Sequence, residues 1–300
     1  MIFLQNQDPA SPRARHGEGQ WICDPKPLPK IYFVKDGKLG NEKGDGIIKF
    51  CTRETVGFCT GASTWPTKLA DLPGDQSGDD MESCYFETEP FLEDTSFCGN
   101  PVVHVSIASD RPVASVFVRL CKVNKAGKSL LLSYTAWNFT HDATHETFTP
   151  LTTGEFKEVD IKLKNISDLI EKNSRLRLCF STGVFPVFVP NPEPTTFTLD
   201  LRKCSLNMPH LQKITPCTNE APEPTNPSPP TTLLSELYAE VNRGTDLSTG
   251  QLVEHYSCST GCRKLEEQGL ITEWRTETRD SILPGDPTSA KVHITHQANW

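Results

Sequence analysis

The feature that most constrains this chain is an apolar side chain at every second position, repeated in one segment after another. Between Phe156 and Leu163, the residues Val159, Ile161 and Leu163 alternate with Glu158, Asp160 and Lys162. An extended strand sends successive side chains to opposite faces, so this segment has one face for a core and one for water. Val103, Val105 and Ile107 repeat the pattern against His104, Ser106 and Ala108, and Val116, Val118 and Leu120 repeat it again. Leu176, Leu178 and Phe180 do so against Arg175, Arg177 and Cys179, and Phe197, Leu199 and Leu201 against Thr196, Thr198 and Asp200. Several one-sided strands require a second layer, and two sheets packed face to face about 10 Å apart provide it. The fold class is therefore all-β, a β-sandwich.

Turn chemistry divides the chain. Ile31 to Val34 is followed by Lys35-Asp36-Gly37-Lys38, a tight-turn signal, and Asn124-Lys125-Ala126-Gly127-Lys128 separates the strand ending near Val123 from the run Leu130 to Trp137, which predicts a hairpin. Residues 1–30 are rich in Pro, Gly and charge, with Trp21 as their one large anchor, and read as an irregular leader. Residues 40–82 read as a long loop, and 31–300 as one sandwich domain. Residues 217–232, with Pro222, Pro224, Pro227, Pro229 and Pro230, read as an exposed loop that joins no ladder. Beyond it, 251–257 and 291–295 read as strands and 281–287 as turns. Two segments carry a helical pattern: 166–172, and 234–241, where Leu234, Leu237, Tyr238 and Val241 fall at i, i+3, i+4 and i+7.

Charge and composition exclude some functions. A formal net charge of −8 opposes phosphate binding, so no nucleic-acid partner is expected. No apolar run reaches the roughly 18 residues of a membrane-spanning helix, so no membrane partner is expected either. Ile2-Phe3-Leu4 is too short for a signal-peptide core, and the compartment is left open. The eleven cysteines are odd in number and scattered, several within apolar strand patterns, and read mostly as small buried hydrophobes. Disulfides stay open, and the sequons at Asn138 and Asn165 would matter only in a secreted protein.

Reactive constellations are few. A nucleophile elbow needs a Gly-x-Ser-x-Gly turn, and Gly61-Ala62-Ser63-Thr64-Trp65 lacks the closing glycine. His141 and His145 are four apart but lie in a loop pattern without a third ligand, and His293 and His296 are no better placed. Cys258 and Cys262 are spaced one residue too far for a redox or zinc pair, and a turn is the simpler reading. The aspartates of 71–80 fit no EF-hand spacing and read as a solvated loop. Arg119, Arg175 and Arg177 lie on strand faces opposite apolar residues, and the last two read as partners for another domain. No catalytic, cofactor-binding or metal-binding residue is assigned, and no cofactor is expected.

The order of motifs carries a resemblance. Asp75-Gln76-Ser77-Gly78-Asp79-Asp80, then Phe86-Glu87-Thr88-Glu89-Pro90-Phe91-Leu92-Glu93-Asp94, then Gly99-Asn100-Pro101 and Ala108-Ser109-Asp110-Arg111-Pro112 resemble the C-terminal β-domain of X-Pro dipeptidyl-peptidases and cocaine-esterase-like (CocE/NonD) serine hydrolases. Val118-Arg119-Leu120, Asn138-Phe139-Thr140-His141, Pro150 to Gly154 and Arg175 to Leu178 follow in the family's order, and the likeness continues more faintly through Gly250, Gly269-Leu270 and Ile282 to Ala290. The resemblance implies a jelly-roll, galactose-binding-like sandwich. It implies an accessory role beside an α/β-hydrolase domain in cis, which carries the serine, acid and histidine and precedes this domain in family members. It also implies further strands after Trp300, so that the domain is read as truncated at its C-terminal end. The competing reading is a stand-alone carbohydrate- or protein-binding module with Trp65, Trp137 and Trp274 as stacking platforms.

Overall fold

The structure, a computed structural model, describes residues 30–58, 74–141, 144, 146–209 and 230–299, with the backbone of two short paired segments, β1 (Ile2–Phe3) and β2 (Arg15–His16). There follow β3 (Ile31–Val34), β4 (Lys38–Gly40), β5 (Ile47–Phe50), the one-turn helix α1 (Ser77–Met81), β6 (Cys84–Thr88), β7 (Thr95–Gly99), β8 (Val102–Ser109), β9 (Ser115–Val123) and β10 (Ser129–Asn138). Then come β11 (Lys157–Lys162), β12 (Ile166–Ile170), β13 (Arg175–Ser181), β14 (Phe197–Asp200) and β15 (Ser205–Asn207). A C-terminal group holds β16 (Thr231–Leu233), β17 (Tyr238–Thr245), β18 (Leu252–Ser259), β19 (Arg263–Leu265), β20 (Leu270–Leu283) and β21 (Asp286–Asn299).

One ladder runs in the order β10-β9-β13-β6-β4-β3-β15-β8-β14-β5, with β11 on the other side of β8. It folds over itself into a jelly-roll-like sandwich. Val116, Val118 and Leu120 of β9 and Leu176, Leu178 and Phe180 of β13 lie in one buried cluster with Val103, Val105 and Ile107 of β8, Ile161 of β11 and Phe197 and Leu199 of β14. These are the alternating residues of the sequence pattern. Phenylalanines fill the space between layers: Phe33 and Phe86 are 4.6 Å apart between ring centres, Phe50 and Phe197 5.6 Å, and Phe139 and Phe197 5.8 Å. Each such buried side chain contributes about 1.5–3 kcal/mol, enough for the alternation to fix the register.

The turns form as their residues dictate. Asp36 and Gly37 both take positive φ, 65° and 72°, between β3 and β4, the backbone that an Asp-Gly hairpin turn requires. Asn124 closes the β9–β10 hairpin by accepting the N–H groups of Ala126 and Lys128 on its side-chain oxygen.

Both helical expectations fail. Residues 166–170 form β12, which pairs with β7, and Ile166, Asp168 and Ile170 are its buried side. The apolar spacing there suited either period, and an available ladder partner decided it. Residues 238–245 form β17 against β18, while Leu234, Leu237 and Tyr238 stay exposed instead of closing a helical stripe. The long-loop reading of 40–82 also fails in part, since β5 and α1 lie within it. Of the final segment, the strand read at 251–257 forms as 252–259, the strand read at 291–295 is the middle of a fourteen-residue hairpin arm, and of the turns read at 281–287 only 284–285 lie outside strands. The Pro-rich loop read at 217–232 does join a ladder at its end, where Thr231 and Thr232 pair with β19.

The C-terminal strands form a separate sheet in the order β16-β19-β20-β18-β17, with β21 on the free side of β20. It touches the sandwich where Ile282, Leu252 and Ala290 pack on Phe58 and Phe185.

At one end of the sandwich Lys122 is buried, with its ammonium 3.2 Å from both Asp168 and Glu171. Burial pushes Asp168 up to about 6, more than the attraction of Lys122 pulls it down. Between the ordinary carboxylate value and about 6 the folded chain therefore holds a proton that the unfolded chain releases, so this group's contribution to stability falls as pH rises through that window. Asp168→Asn removes the slope. Urea unfolding at pH about 4.5 and about 7 is expected to show the native chain losing up to about 2 kcal/mol relative to the variant across the interval; parallel curves would refute the assignment.

Candidate functional site

The sandwich layer formed by β10, β9, β13 and β6 buries its outer side as well as its core side. Opposite the apolar rows, β9 carries Arg119 and Cys121 and β13 carries Arg175, Arg177 and Cys179. The segment from Asp75 to Ser83, which contains α1, lies over them. Its backbone is tied down by Gln76 N–H donating to the Ser129 carbonyl at 2.8 Å and by Asp75 accepting from Ser129 N–H and both donors of Ser77. Desolvation opposes the charge on Asp75, but the hydrogen bonds from Ser77 and Ser129 together outweigh it and hold the carboxyl below its usual range.

Asp80 is wholly buried at the centre. It faces the Arg119 guanidinium at 3.4 Å and that of Arg177 at 3.0 Å, and accepts from the Ser129 hydroxyl at 2.5 Å and the Cys179 thiol at 3.3 Å. Arg119 also donates to Gln76 at 2.9 Å and to Ser83 at 2.9 Å. Arg177 continues to Glu87 at 2.6 Å, Glu87 takes Arg175 at 2.6 Å, and the Arg177 guanidinium sits 4.8 Å over the Tyr85 ring. Burial opposes the charge on Arg177, but the hydrogen bonds and charges of Glu87 and Asp80 outweigh it and raise its pKa above the ordinary arginine value. Arg175 and Arg177 thus find their partners within the chain, not on another domain, and Asp79 and Asp80 are buried instead of solvated.

The thiols belong to packing. Burial pushes Cys84 and Cys204 up to about 12, and Cys179 well above its ordinary value, far from nucleophilic thiolates. Cys258 is buried in β18, and Cys262 is half-buried just beyond it. His141 closes a short turn, 3.0 Å from the Thr140 hydroxyl and stacked at an angle against Phe148, and His296 meets the Thr276 hydroxyl at 3.0 Å. His145, Trp65 and the Gly61 to Trp65 motif lie outside the described residues. Trp137 packs against the core, whereas Trp274 is exposed on β20. Among the described residues no group of three His, Cys, Asp or Glu side chains is placed to hold a metal.

Reading along the sequence missed an open cleft of about 850 Å³ between the sandwich and the C-terminal sheet. Its floor is Phe58 and Leu252, and its rim carries Arg53, Glu54, Glu82 and Arg243. Arg53 and Glu82 stand 3.7 Å apart, and Arg243 is held at 2.8 Å by the buried Glu254. Glu54 accepts the N–H of Gly285 and so closes one end. No local motif announces this cleft, because its walls are separated by some two hundred positions.

The profile of the X-Pro dipeptidyl-peptidase C-terminal non-catalytic domain matches residues 5–218. A crystal structure of an aminopeptidase from the marine sediment archaeon Thaumarchaeota archaeon is similar with a TM-score of 0.53 at 18% identity, over 61% of this chain and 36% of that one. An α-amino acid ester hydrolase labelled with selenomethionine is similar with a TM-score of 0.51 at 17% identity, over 61% and 36%. A CocE/NonD family hydrolase from Staphylococcus aureus follows at 0.46 and 14%, over 62% and 37%. The matched region thus spans about a third of the length of these proteins. At such identities the first two establish the fold alone. No curated protein is significantly similar in sequence.

The geometry of Asp80 sets a measurable cost. Asp80→Asn leaves two guanidinium groups without their central anion, one of them fully buried, and is expected to lower the unfolding free energy by about 3–5 kcal/mol. The double variant Asp80→Leu with Arg119→Met should recover most of that loss in urea titrations. A loss below about 1 kcal/mol for the single variant would place the network on the solvated surface.

Proposed function

The chain belongs to the family of X-Pro dipeptidyl-peptidase C-terminal non-catalytic domains, and from that membership we propose that it serves as the accessory β-module of an X-Pro dipeptidyl-peptidase or CocE-type serine hydrolase. The single observation that carries the reading is the match to a non-catalytic domain over residues 5–218. In this reading an α/β-hydrolase domain in cis supplies nucleophile, acid and histidine, and acts on dipeptidyl or ester substrates. This chain packs beside it and helps to wall the substrate cleft. Residues 31–300 act as one unit, with the sheet of 230–299 as an appendage seated on the sandwich.

Physical reasons favour a supporting role. The titratable groups that cluster, from Asp80 to Arg175, are spent on one another beneath α1, and the described buried thiols with resolved shifts are pushed away from reactivity. The exposed residues 146–150 are a better docking candidate than Asp79 and Asp80, which are buried. Phe148 stands about half exposed there beside His141.

Two measurements test the proposal. The purified chain is expected to release no nitroaniline from an Ala-Pro nitroanilide, to cleave no nitrophenyl ester, and to take up no fluorophosphonate label; serine-dependent turnover would refute it. The coding sequence upstream is expected to run into a domain with a Gly-x-Ser-x-Gly elbow. A transcript that lacks such a domain would remove the hydrolase partner.

A further inference from the structure

The longest edge of the C-terminal sheet is β21, fourteen residues that pair, among the described residues, with β20 alone. Which of its backbone groups that ladder leaves over can be read from β20. The N–H of Trp274 donates to the Thr260 hydroxyl at 3.3 Å, and its C=O accepts the N–H of Thr260 at 3.0 Å, so both groups point to the β18 side. Along a strand these groups alternate from side to side, so those of Arg275, Glu277 and Arg279 point to β21, where their register partners are Gln297, Thr295 and His293. The N–H and C=O groups of Val292, Ile294, His296 and Ala298 therefore point away from β20, out of the sheet. The side chains of these four residues are exposed as well, Val292 and Ile294 by more than half.

Proteins keep a long edge from pairing with its own kind by prolines, bulges or charges. Thr288 to Asn299 holds no proline, no glycine and no acidic residue, and Lys291 is its one fixed charge. The irregularity in its pairing with β20 lies before Lys291, so the stretch from Lys291 to Asn299 is a regular strand. Paired residues of antiparallel strands share a face, so two copies that meet edge to edge are related by a two-fold axis normal to the sheet. With that axis at Thr295 the outward groups match themselves: Val292 pairs with the partner's Ala298, and Ile294 with the partner's His296. Thr295 then meets its own copy, and Lys291 meets the partner's Asn299, so no fixed like charges stand opposite each other. A charged edge would select an oppositely charged strand, whereas this one is matched by itself. Each sandwich is seated at the Ile282 and Ala290 end of its sheet, and the axis sends the two to opposite ends of the joined sheet.

We propose that this chain forms a two-fold homodimer in which β21 pairs antiparallel with β21 of a second copy, centred on Thr295. The outward backbone groups of Val292, Ile294, His296 and Ala298 supply the ladder, and the two C-terminal sheets become one. The interface lies outside the 5–218 match and stands whether or not a hydrolase domain docks elsewhere.

The test is sedimentation equilibrium on the full 300-residue chain, joined to residue-resolved amide hydrogen exchange. A monomer–dimer equilibrium with a dissociation constant below about 100 μM is expected. Between about 5 and 200 μM chain, exchange at Val292, Ile294, His296 and Ala298 is expected to slow at least about fivefold, while the amides of β17 keep their rates. Both measurements use the unaltered chain and need no variant to fold. Ile294→Pro removes one outward N–H at an edge that tolerates proline and should weaken dimerisation at least about tenfold, whereas Ile294→Ala keeps that N–H and should weaken it less. A monomer up to about 200 μM would overturn the proposal. So would a dimer in which those four amides exchange at the same rate at both concentrations, or equal losses in the two variants, because either result would place the contact on side chains and not on the strand edge.

Discussion

A guanidinium group buried on the outer side of a sheet must have its charge matched by something that covers it, and that requirement organises half of this molecule. Arg119 projects from the middle of β9, away from the apolar core, and is almost wholly enclosed. Transferring such a group out of water without a partner would cost several kcal/mol, comparable to a large share of a domain's net stability. Asp80 supplies the anion, and it can do so only if the segment from Asp75 to Ser83 lies flat over β9, β13 and β6. The family's acidic entry segment is thus a structural lid on a sheet. Its conformation is set by where the positive charge emerges from the strands below.

The two sides of that layer obey different physics. On the core side the interaction is non-directional, so any apolar residue of about the right volume at alternate positions suffices, and the register follows from burial alone. On the outer side every contact is a hydrogen bond with a direction. Asp80 meets two guanidinium groups, a hydroxyl and a thiol, all within 3.4 Å. A slip of β13 by one residue would put Leu176 and Leu178 under α1 and Arg177 into the core, so the polar side vetoes the registers that the apolar side rejects too. Agreement between the layers leaves one pairing.

This difference explains what could be read from the chain before its coordinates. The strands of the sandwich were legible because period-2 alternation at Val103 to Ile107, Val116 to Leu120 and Leu176 to Phe180 is a local signal with a local cause. The turns at Asp36-Gly37 and Asn124 to Lys128 were legible for the same reason. Arg119, Arg175 and Arg177 were visible as oddities, charges on the backs of apolar strands. Their partners were not, since Asp80 lies 39 positions before Arg119 and 97 before Arg177. A run such as Asp79-Asp80 in a segment with no periodicity looks solvated, and only the sheet beneath it reveals otherwise. The two misread helices share one cause. In each a ladder partner decided: β7 settled a spacing at 166–170 that suits either period, and β18 overrode the helical spacing of Leu234, Leu237, Tyr238 and Val241, leaving the first three exposed. The cleft lay furthest from view, because Arg53, Phe58 and Asp79 meet Arg243 and Leu252 only after two sheets have formed and packed.

The join between the sandwich and the C-terminal sheet is small. It rests on Phe58, Phe185 and Ile282, with Leu252 and Ala290 at its margin, and on the Glu54 to Gly285 hydrogen bond. By register, the face of the C-terminal sheet that carries Leu252 and Ile282 also carries Trp274, Val292 and Ile294, and these three stand about half exposed. One apolar surface is therefore covered at one end and bare at the other. Contact between the two units removes only part of it from water, at about 25 cal/mol for each Å². The same incomplete contact that leaves this face open also leaves room for the cleft beside β17. A tightly interdigitated join would have closed both.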